Sequence, residues 1–308
     1  MRKFVLAAIL FSVGGLEASA QSPEPMPIFK SAVDVVPISA VVRDGRGRIV
    51  TALTAADFEV LDKGERRPIL DFRTDDNGPI TLAVLMDMSG SMSVGSKLVF
   101  ARDVLTHLTA NLQDGRDEVG LFTFDAVLHE QQPFTVHPVL MDGALSTAEP
   151  FGITSLYDAI AETARRLSVR PSARRAIVVI TDGVDTGSAL TPAEVSGIAS
   201  AIDAPVYVVA TVSAVDRAMI VDRPVSRSAT SSADLRDLAA WTGGDLLWVS
   251  TGAGASVQAR QILAELRHQY LMAIESSPQA EWRPIDVRVR DRKMTVRARS
   301  GYFSRDVR

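Results

Sequence analysis

Hydrophobic residues are concentrated in short, uninterrupted runs along the middle of the chain. The strongest are residues 80–86 (ITLAVLM), 174–181 (RRAIVVIT) and 205–212 (PVYVVATV). A strand buried on both faces has no polar side to display, so it reads as a continuous apolar run. These runs predict buried strands, and the shorter stretches 117–125 and 245–249 predict two more.

Helical patterns separate the apolar runs. Residues 97–112 carry apolar side chains at the three-to-four-residue spacing of an amphipathic helix. Thr191-Pro192-Ala193-Glu194 has the residue types of a helix start, with proline in the first turn and a capping glutamate. Further helices are predicted at residues 155–167, 191–201, 232–240 and 256–268. Strands alternating with helices predict an α/β fold: a doubly wound, mostly parallel sheet with helices on both faces.

Two connecting segments have other patterns. Residues 127–136 predict a hairpin, and the polar, serine-rich stretch 214–232 predicts a loop. The two ends of the chain alternate between apolar and polar positions, as half-buried antiparallel strands do. Because terminal segments often meet, residues 31–76 and 269–305 are expected to pack together as a small antiparallel β subdomain beside an α/β domain at 78–267. A solvated strand face is expected for Arg288, Arg290, Arg292, Arg297 and Arg299.

The first residues have the pattern of an export signal. Residues 1–20 combine a basic start, an apolar stretch and a small-residue cleavage site, which predicts a cleaved signal peptide. Residues 21–30 contain three prolines and predict an extended linker. We therefore expect an exported protein, periplasmic or secreted, whose mature chain has no stable membrane span.

Composition limits the chemistry. The chain of 308 residues has 33 basic and 37 acidic side chains, and this mild acidity argues against a nucleic-acid binder. The absence of cysteine excludes disulfides, thiolate zinc sites and thiol nucleophiles. Only four histidines are present, which leaves little for a histidine-based metal site.

Oxygen-bearing residues cluster at three predicted strand ends or loops. Asp87, Ser89 and Ser91 follow the first buried strand, Thr154 precedes a helix, and the segment 181–185 (TDGVD) follows the second buried strand. In a doubly wound sheet, ligands bind at the carboxyl ends of the strands. An all-oxygen set suits a hard divalent cation, Mg²⁺ in the first place, with Mn²⁺ and Ca²⁺ as alternatives.

This set of residues resembles the metal-ion-dependent adhesion site of von Willebrand factor type A (VWA) domains. The family's Asp-x-Ser-x-Ser, its threonine in a Gly-x-Thr loop and its aspartate in Thr-Asp-Gly are matched by Asp87, Ser89, Ser91, Thr154 and Asp182. The resemblance implies that these residues hold the cation directly or through water. Asp185 is expected either to support them from behind or only to close a turn. The flanking segments 42–47, 53–58 and 299–303 resemble secreted bacterial, acidobacterial-type VWA-related proteins.

The resemblance implies a binding protein rather than an enzyme. An open coordination position on the cation would accept a glutamate or aspartate from a partner protein. Two alternatives stay open: a metal-dependent phosphoester hydrolase that uses Asp87 with Asp182, and a metal-independent scaffold in which these residues only form turns and caps. A phosphate-binding loop at residues 90–97 is rejected, because the lysine is displaced and no hydroxyl residue follows it. The sequence assigns no oligomeric state.

Overall fold

The computed structural model describes residues 35–74, 78–141, 143–145, 149–172, 174–183, 185–212, 227–279 and 281–304, without the side chains of 227–233. The strands in chain order are β1 (Val35–Arg43), β2 (Phe58–Asp62), β3 (Glu65–Arg67), β4 (Ile69–Arg73), β5 (Ile80–Asp87), β6 (Glu118–Phe124), β7 (Leu128–Thr135), β8 (Arg174–Thr181), β9 (Val206–Thr211), β10 (Leu246–Val249), β11 (Tyr270–Glu275), β12 (Trp282–Val289), β13 (Thr295–Ala298) and β14 (Gly301–Phe303). The helices are α1 (Lys97–Ala110), α2 (Leu156–Ser168), α3 (Pro192–Ala201), α4 (Arg227–Thr242) and α5 (Gly252–Arg267).

The largest sheet has six strands in the order β10-β9-β8-β5-β6-β7. Neighbouring strands are parallel except β6 and β7, which form the predicted hairpin. Strand β5 lies in the interior of the sheet, between β8 and β6, with Val84 beside Leu121 and Val178. The predicted fold class, a mostly parallel sheet with helices and a separate antiparallel part, is confirmed.

Helices cover both faces of this sheet, which explains the unbroken apolar sequence of β5. Leu82 and Val84 of β5 lie in a core shared with α1 and α5. Ala83 and Leu85 face the opposite way, into a core shared with α2, α3 and α4. Every residue of β5 is buried, so no position along the strand tolerates an exposed polar side chain.

Strands from both ends of the chain form two smaller sheets. One has the order β13-β1-β11-β4, the other β14-β12-β2-β3, and each combines strands from before and after the central sheet. Their apolar faces share one core, in which Ile38 of β1, Val60 of β2, Tyr270 of β11 and Val287 of β12 are buried. The exact domain boundaries predicted at 76–78 and 267–269 stay predictions.

Two helices begin earlier than predicted. Helix α4 starts at Arg227, so the predicted loop is wrong for residues 227–232, and the rest of that loop lies outside the described residues. Serine-rich sequence favours loops, but Leu235 and Leu238 anchor this helix to the core, and adding residues to an existing helix is favourable. Helix α5 starts at Gly252 because the Thr251 side chain accepts a hydrogen bond from Gly254 N.

Two of the tail arginines are buried, so the predicted solvated face is wrong for them. The Arg299 side chain is 2% exposed and contacts Asp203 and the Ser200 carbonyl oxygen. Arg297 pairs with Asp245 (Nη1 to Oδ2, 2.6 Å) and with Glu265 of α5. Alternation along a strand separates two faces, and one face of this tail packs on the α/β domain instead of facing water.

The predicted signal peptide and linker lie outside the described residues, so both stay predictions. Among the described helices, none is both long enough and apolar enough to span a bilayer.

Candidate functional site

The first part of the site is the turn that follows β5. Asp87 is the last residue of the strand and is fully buried. Its Oδ1 accepts a hydrogen bond from Ser89 N at 2.8 Å, which fixes the carboxylate against its own loop. The Ser89 and Ser91 hydroxyl oxygens lie 3.1 Å apart, Ser89 buried and Ser91 exposed. The i, i+2, i+4 spacing therefore does converge three oxygen-bearing side chains.

The loop that carries Thr154 is fastened to this turn through the backbone. Phe151 N donates to Met88 O at 2.8 Å, and Gly90 N donates to Gly152 O at 3.1 Å. Gly152 has a φ of +84°, in the left-handed region that glycine adopts without steric cost. The loop delivers Thr154, which is buried, to the edge of the sheet just before α2 begins.

The third part is the end of β8. Thr181 donates its hydroxyl hydrogen to Asp87 Oδ2 at 2.5 Å, which joins this strand end to the first turn. Asp182 is the next residue, and its Oδ2 accepts a hydrogen bond from Lys97 Nζ at 2.9 Å. The other oxygen, Asp182 Oδ1, is buried without a hydrogen-bond partner in the described part of the chain.

Asp185 acts on the helix that follows Thr154. Its Oδ1 accepts hydrogen bonds from Leu156 N at 2.8 Å and from the Ser188 hydroxyl at 2.6 Å. Asp185 therefore satisfies a backbone N–H in the first turn of α2, where an acidic group also interacts favourably with the helix dipole. Of the two roles expected from sequence, this geometry favours a structural one that holds the Thr154 loop.

Replacing Asp185 with alanine is expected to lower the free energy of unfolding by about 1–2 kcal/mol, because Leu156 N loses its acceptor. Urea unfolding would measure it, with Asp114→Ala as the control, since the Asp114 side chain is 72% exposed. Equal stability of both variants and the wild type would contradict the capping role.

Burial dominates the electrostatics of the first carboxylate. It raises the pKa of Asp87 to about 6, against the hydrogen bonds from Thr181 and Ser89, and the nearby Asp182 raises it further. Two carboxylates that approach each other in a buried place destabilise each other's ionised form. A cation between them would remove that penalty.

The donor set fits a hard divalent cation. Asp182 Oδ1 is a buried acceptor with no described donor, and the other available groups are hydroxyls and carboxylates. The described residues contain no cluster of three or more His, Cys, Asp or Glu side chains. A set of two carboxylates and three hydroxyls does not need such a cluster. Asp87, Ser89, Ser91, Thr154 and Asp182 are the residues that would hold the ion.

Two residues of this site were not predicted from the sequence. Thr181 stands beside Asp182 at the end of an apolar strand, so a signal for it was present. Lys97 is far from Asp182 in the chain, and only its place at the start of α1 pointed to an acidic partner, since the helix dipole disfavours a cation there.

Residues 82–184 match the family model described as the von Willebrand factor type A domain. All five candidate ligands lie inside that range. The chain contains a von Willebrand factor type A domain, as the sequence motifs predict. No curated protein matches the sequence.

Solved structures show the same fold at low identity. A von Willebrand factor type A structure from Catenulispora acidiphila is 13% identical, with a TM-score of 0.51 over 87% of this chain and 73% of the other. An aerotolerance-related membrane protein from Bacteroides fragilis is 20% identical, with a TM-score of 0.48 over 61% and 98%. Proximal thread matrix protein 1 from mussel byssus, with a zinc-occupied MIDAS motif, is 14% identical, with a TM-score of 0.48 over 67% and 49%.

Proposed function

We propose that this is an exported binding protein that captures a partner protein through a divalent cation. Asp87, Ser89, Ser91, Thr154 and Asp182 hold the cation, Mg²⁺ in the first place, and the partner supplies an acidic side chain. The observation that carries the proposal is the convergence of three oxygen-bearing loops on one buried edge of the sheet, with Asp182 Oδ1 left unpartnered among the described residues.

The charges in the set support an anionic ligand. Three of the five ligands are neutral hydroxyls, so only Asp87 and Asp182 offset the two charges of the ion. A carboxylate held behind a water offsets less of that charge, and the ion then favours a further anionic ligand. Carboxylate oxygen is a preferred ligand of Mg²⁺ and Ca²⁺.

The surface around the site supports a protein as the partner. Phe151, three residues before Thr154, has 80% of its surface exposed, and Ile153 has 52%. Their backbone is held by the hydrogen bonds between the two loops, so these apolar side chains are presented to solvent on a fixed support. Rigid exposed aromatic residues are typical of the centres of protein interfaces.

The burial of Asp87 speaks against the hydrolase alternative. A nucleophilic carboxylate must reach its substrate, whereas Asp87 is 0% exposed and both its oxygens already accept hydrogen bonds. The proposal is therefore of a protein without catalytic activity.

Capture with and without chelator tests this proposal. The immobilised mature chain is incubated with envelope and supernatant fractions of the producing organism, in Mg²⁺ or in EDTA. The expected result is a defined partner that EDTA releases, that returns with Mg²⁺, and that Asp87→Ala does not capture. A partner held equally in EDTA and by Asp87→Ala would support the metal-independent scaffold instead.

Phe151→Ala is expected to weaken partner binding by about tenfold or more, because truncating a central aromatic contact usually costs at least 1–2 kcal/mol. Its stability and Mg²⁺ affinity should stay near wild type, since the side chain is exposed. Val169→Ala is the matched control: Val169 is 79% exposed and follows the opposite end of α2. Equal affinity of both variants for the partner would remove Phe151 from the interface.

A further inference from the structure

The ion pair between Lys97 and Asp182 places a fixed positive charge at the candidate cation site. Lys97 is the first residue of α1, and its Nζ lies 2.9 Å from Asp182 Oδ2. The two side chains are 14% and 4% exposed, so this is a largely buried pair. A lysine at a helix N-terminus is disfavoured by the helix dipole. The carboxylate of Asp182 is therefore the interaction that keeps Lys97 here.

The same carboxylate is one of the two acidic ligands proposed for the divalent cation. One of its oxygens is engaged by Lys97, while Oδ1 is buried and has no donor among the described residues. An ammonium group and a divalent cation both draw on the charge of Asp182, and they repel each other at this short range. Both cannot interact at full strength with one carboxylate.

We propose that Lys97 is a tethered competitor of the divalent cation, which neutralises Asp182 in the cation-free protein and is released when the cation binds. This inference rests on the proposed function, because it needs a cation at the same five ligands. Lys97 thereby sets the cation affinity of the site below the value that the ligands alone would give. Once released, its charge adds to the attraction for an acidic partner.

Calorimetric titration with Mg²⁺ compares the wild type, Lys97→Met and Lys97→Arg in the mature chain. Removing the positive charge is expected to tighten Mg²⁺ binding at least about tenfold, whereas the arginine variant, which keeps the charge, stays near wild type. Unchanged or weaker binding by Lys97→Met, with a folded circular dichroism spectrum, overturns the proposal.

Acylation of the wild type gives a readout that needs no variant. Sulfo-N-hydroxysuccinimide acetate is applied with and without Mg²⁺, and peptide mass spectrometry measures the modification of each lysine. Lys97 is expected to react several-fold faster in Mg²⁺, while Lys63, which is 42% exposed and paired with Glu281, reacts at an unchanged rate. Equal rates for Lys97 in both conditions overturn the release step.

The two measurements separate this inference from the proposed function. Saturable Mg²⁺ binding by the wild type, combined with no gain in Lys97→Met and no change in acylation, rejects the role of Lys97 and leaves the cation site standing. Binding by Lys97→Met alone supports strong competition by Lys97. Absence of binding in all three proteins overturns both the cation site and the competition.

Discussion

Replacing Glu265 with alanine is expected to lower the free energy of unfolding by about 3 kcal/mol. The Glu265 side chain is fully buried on α5 and pairs with Arg43 of β1 and Arg297 of β13. Removing one member of a buried ion cluster leaves the other charges unpaired, which typically costs 3–5 kcal/mol. The lower end applies because the two arginines are 26% and 21% exposed and regain some hydration.

Urea unfolding followed by circular dichroism measures this effect, with two comparison variants. Glu265→Gln keeps the size and hydrogen-bonding atoms of the side chain, so its loss should be intermediate. Asp286→Ala removes an ion pair with Arg288 whose side chains are 52% and 60% exposed, and should change stability by less than about 0.5 kcal/mol. Losses of similar size in Glu265→Ala and Asp286→Ala would show that the buried cluster is not what holds α5 to the strands.

Asp87→Ala is expected to weaken Mg²⁺ binding at least about 100-fold, to below detection in calorimetry. Loss of a group that only supports a metal ligand already costs 10–100-fold, and Asp87 is proposed as a ligand itself. Asp87→Asn keeps an acceptor for the Thr181 hydroxyl and removes the charge, so it should also lose Mg²⁺ while remaining folded.

The control for this experiment is Asp286→Ala, an exposed carboxylate removed from the other part of the chain. Its Mg²⁺ affinity should equal that of the wild type. Wild-type affinity in both Asp87 variants would mean that any bound Mg²⁺ lies elsewhere. The phosphoester hydrolase alternative is checked on the same samples with p-nitrophenyl phosphate, for which no turnover is expected.

The fold class was predictable because burial on two faces leaves a direct signature. The run 80–86 has no polar face, and in the structure its residues point alternately into the two helix-covered cores. The helix start at Thr191 was equally clear, since its capping box is present as expected. Patterns of this kind are local, and they can be read without knowing what packs on them.

The candidate site was predictable as a set of residues but not as a set of contacts. Parallel strands bring their carboxyl ends to one edge, so the grouping of Asp87, Thr154 and Asp182 follows from the order of strands and helices. The bond from Thr181 to Asp87 and the pair between Lys97 and Asp182 depend on side-chain directions across strands and helices. No local pattern encodes them.

The buried arginines show the same limit. Alternation in residues 294–298 identifies two faces but does not say what covers each one. Arg297 was predicted to be solvated, and it instead joins Glu265 and Asp245, which lie on elements of the α/β domain distant in sequence. A charged residue at an alternating position therefore requires a search for a distant partner before it is assigned to solvent.

The most direct test of the central claim is a crystal structure of the mature chain grown with Mn²⁺, with diffraction recorded at the manganese absorption edge. The account predicts one strong anomalous peak bounded by the oxygens of Asp87, Ser89, Ser91, Thr154 and Asp182, and Lys97 moved away from Asp182. No anomalous density at these residues at saturating Mn²⁺, with Lys97 still paired to Asp182, would contradict it.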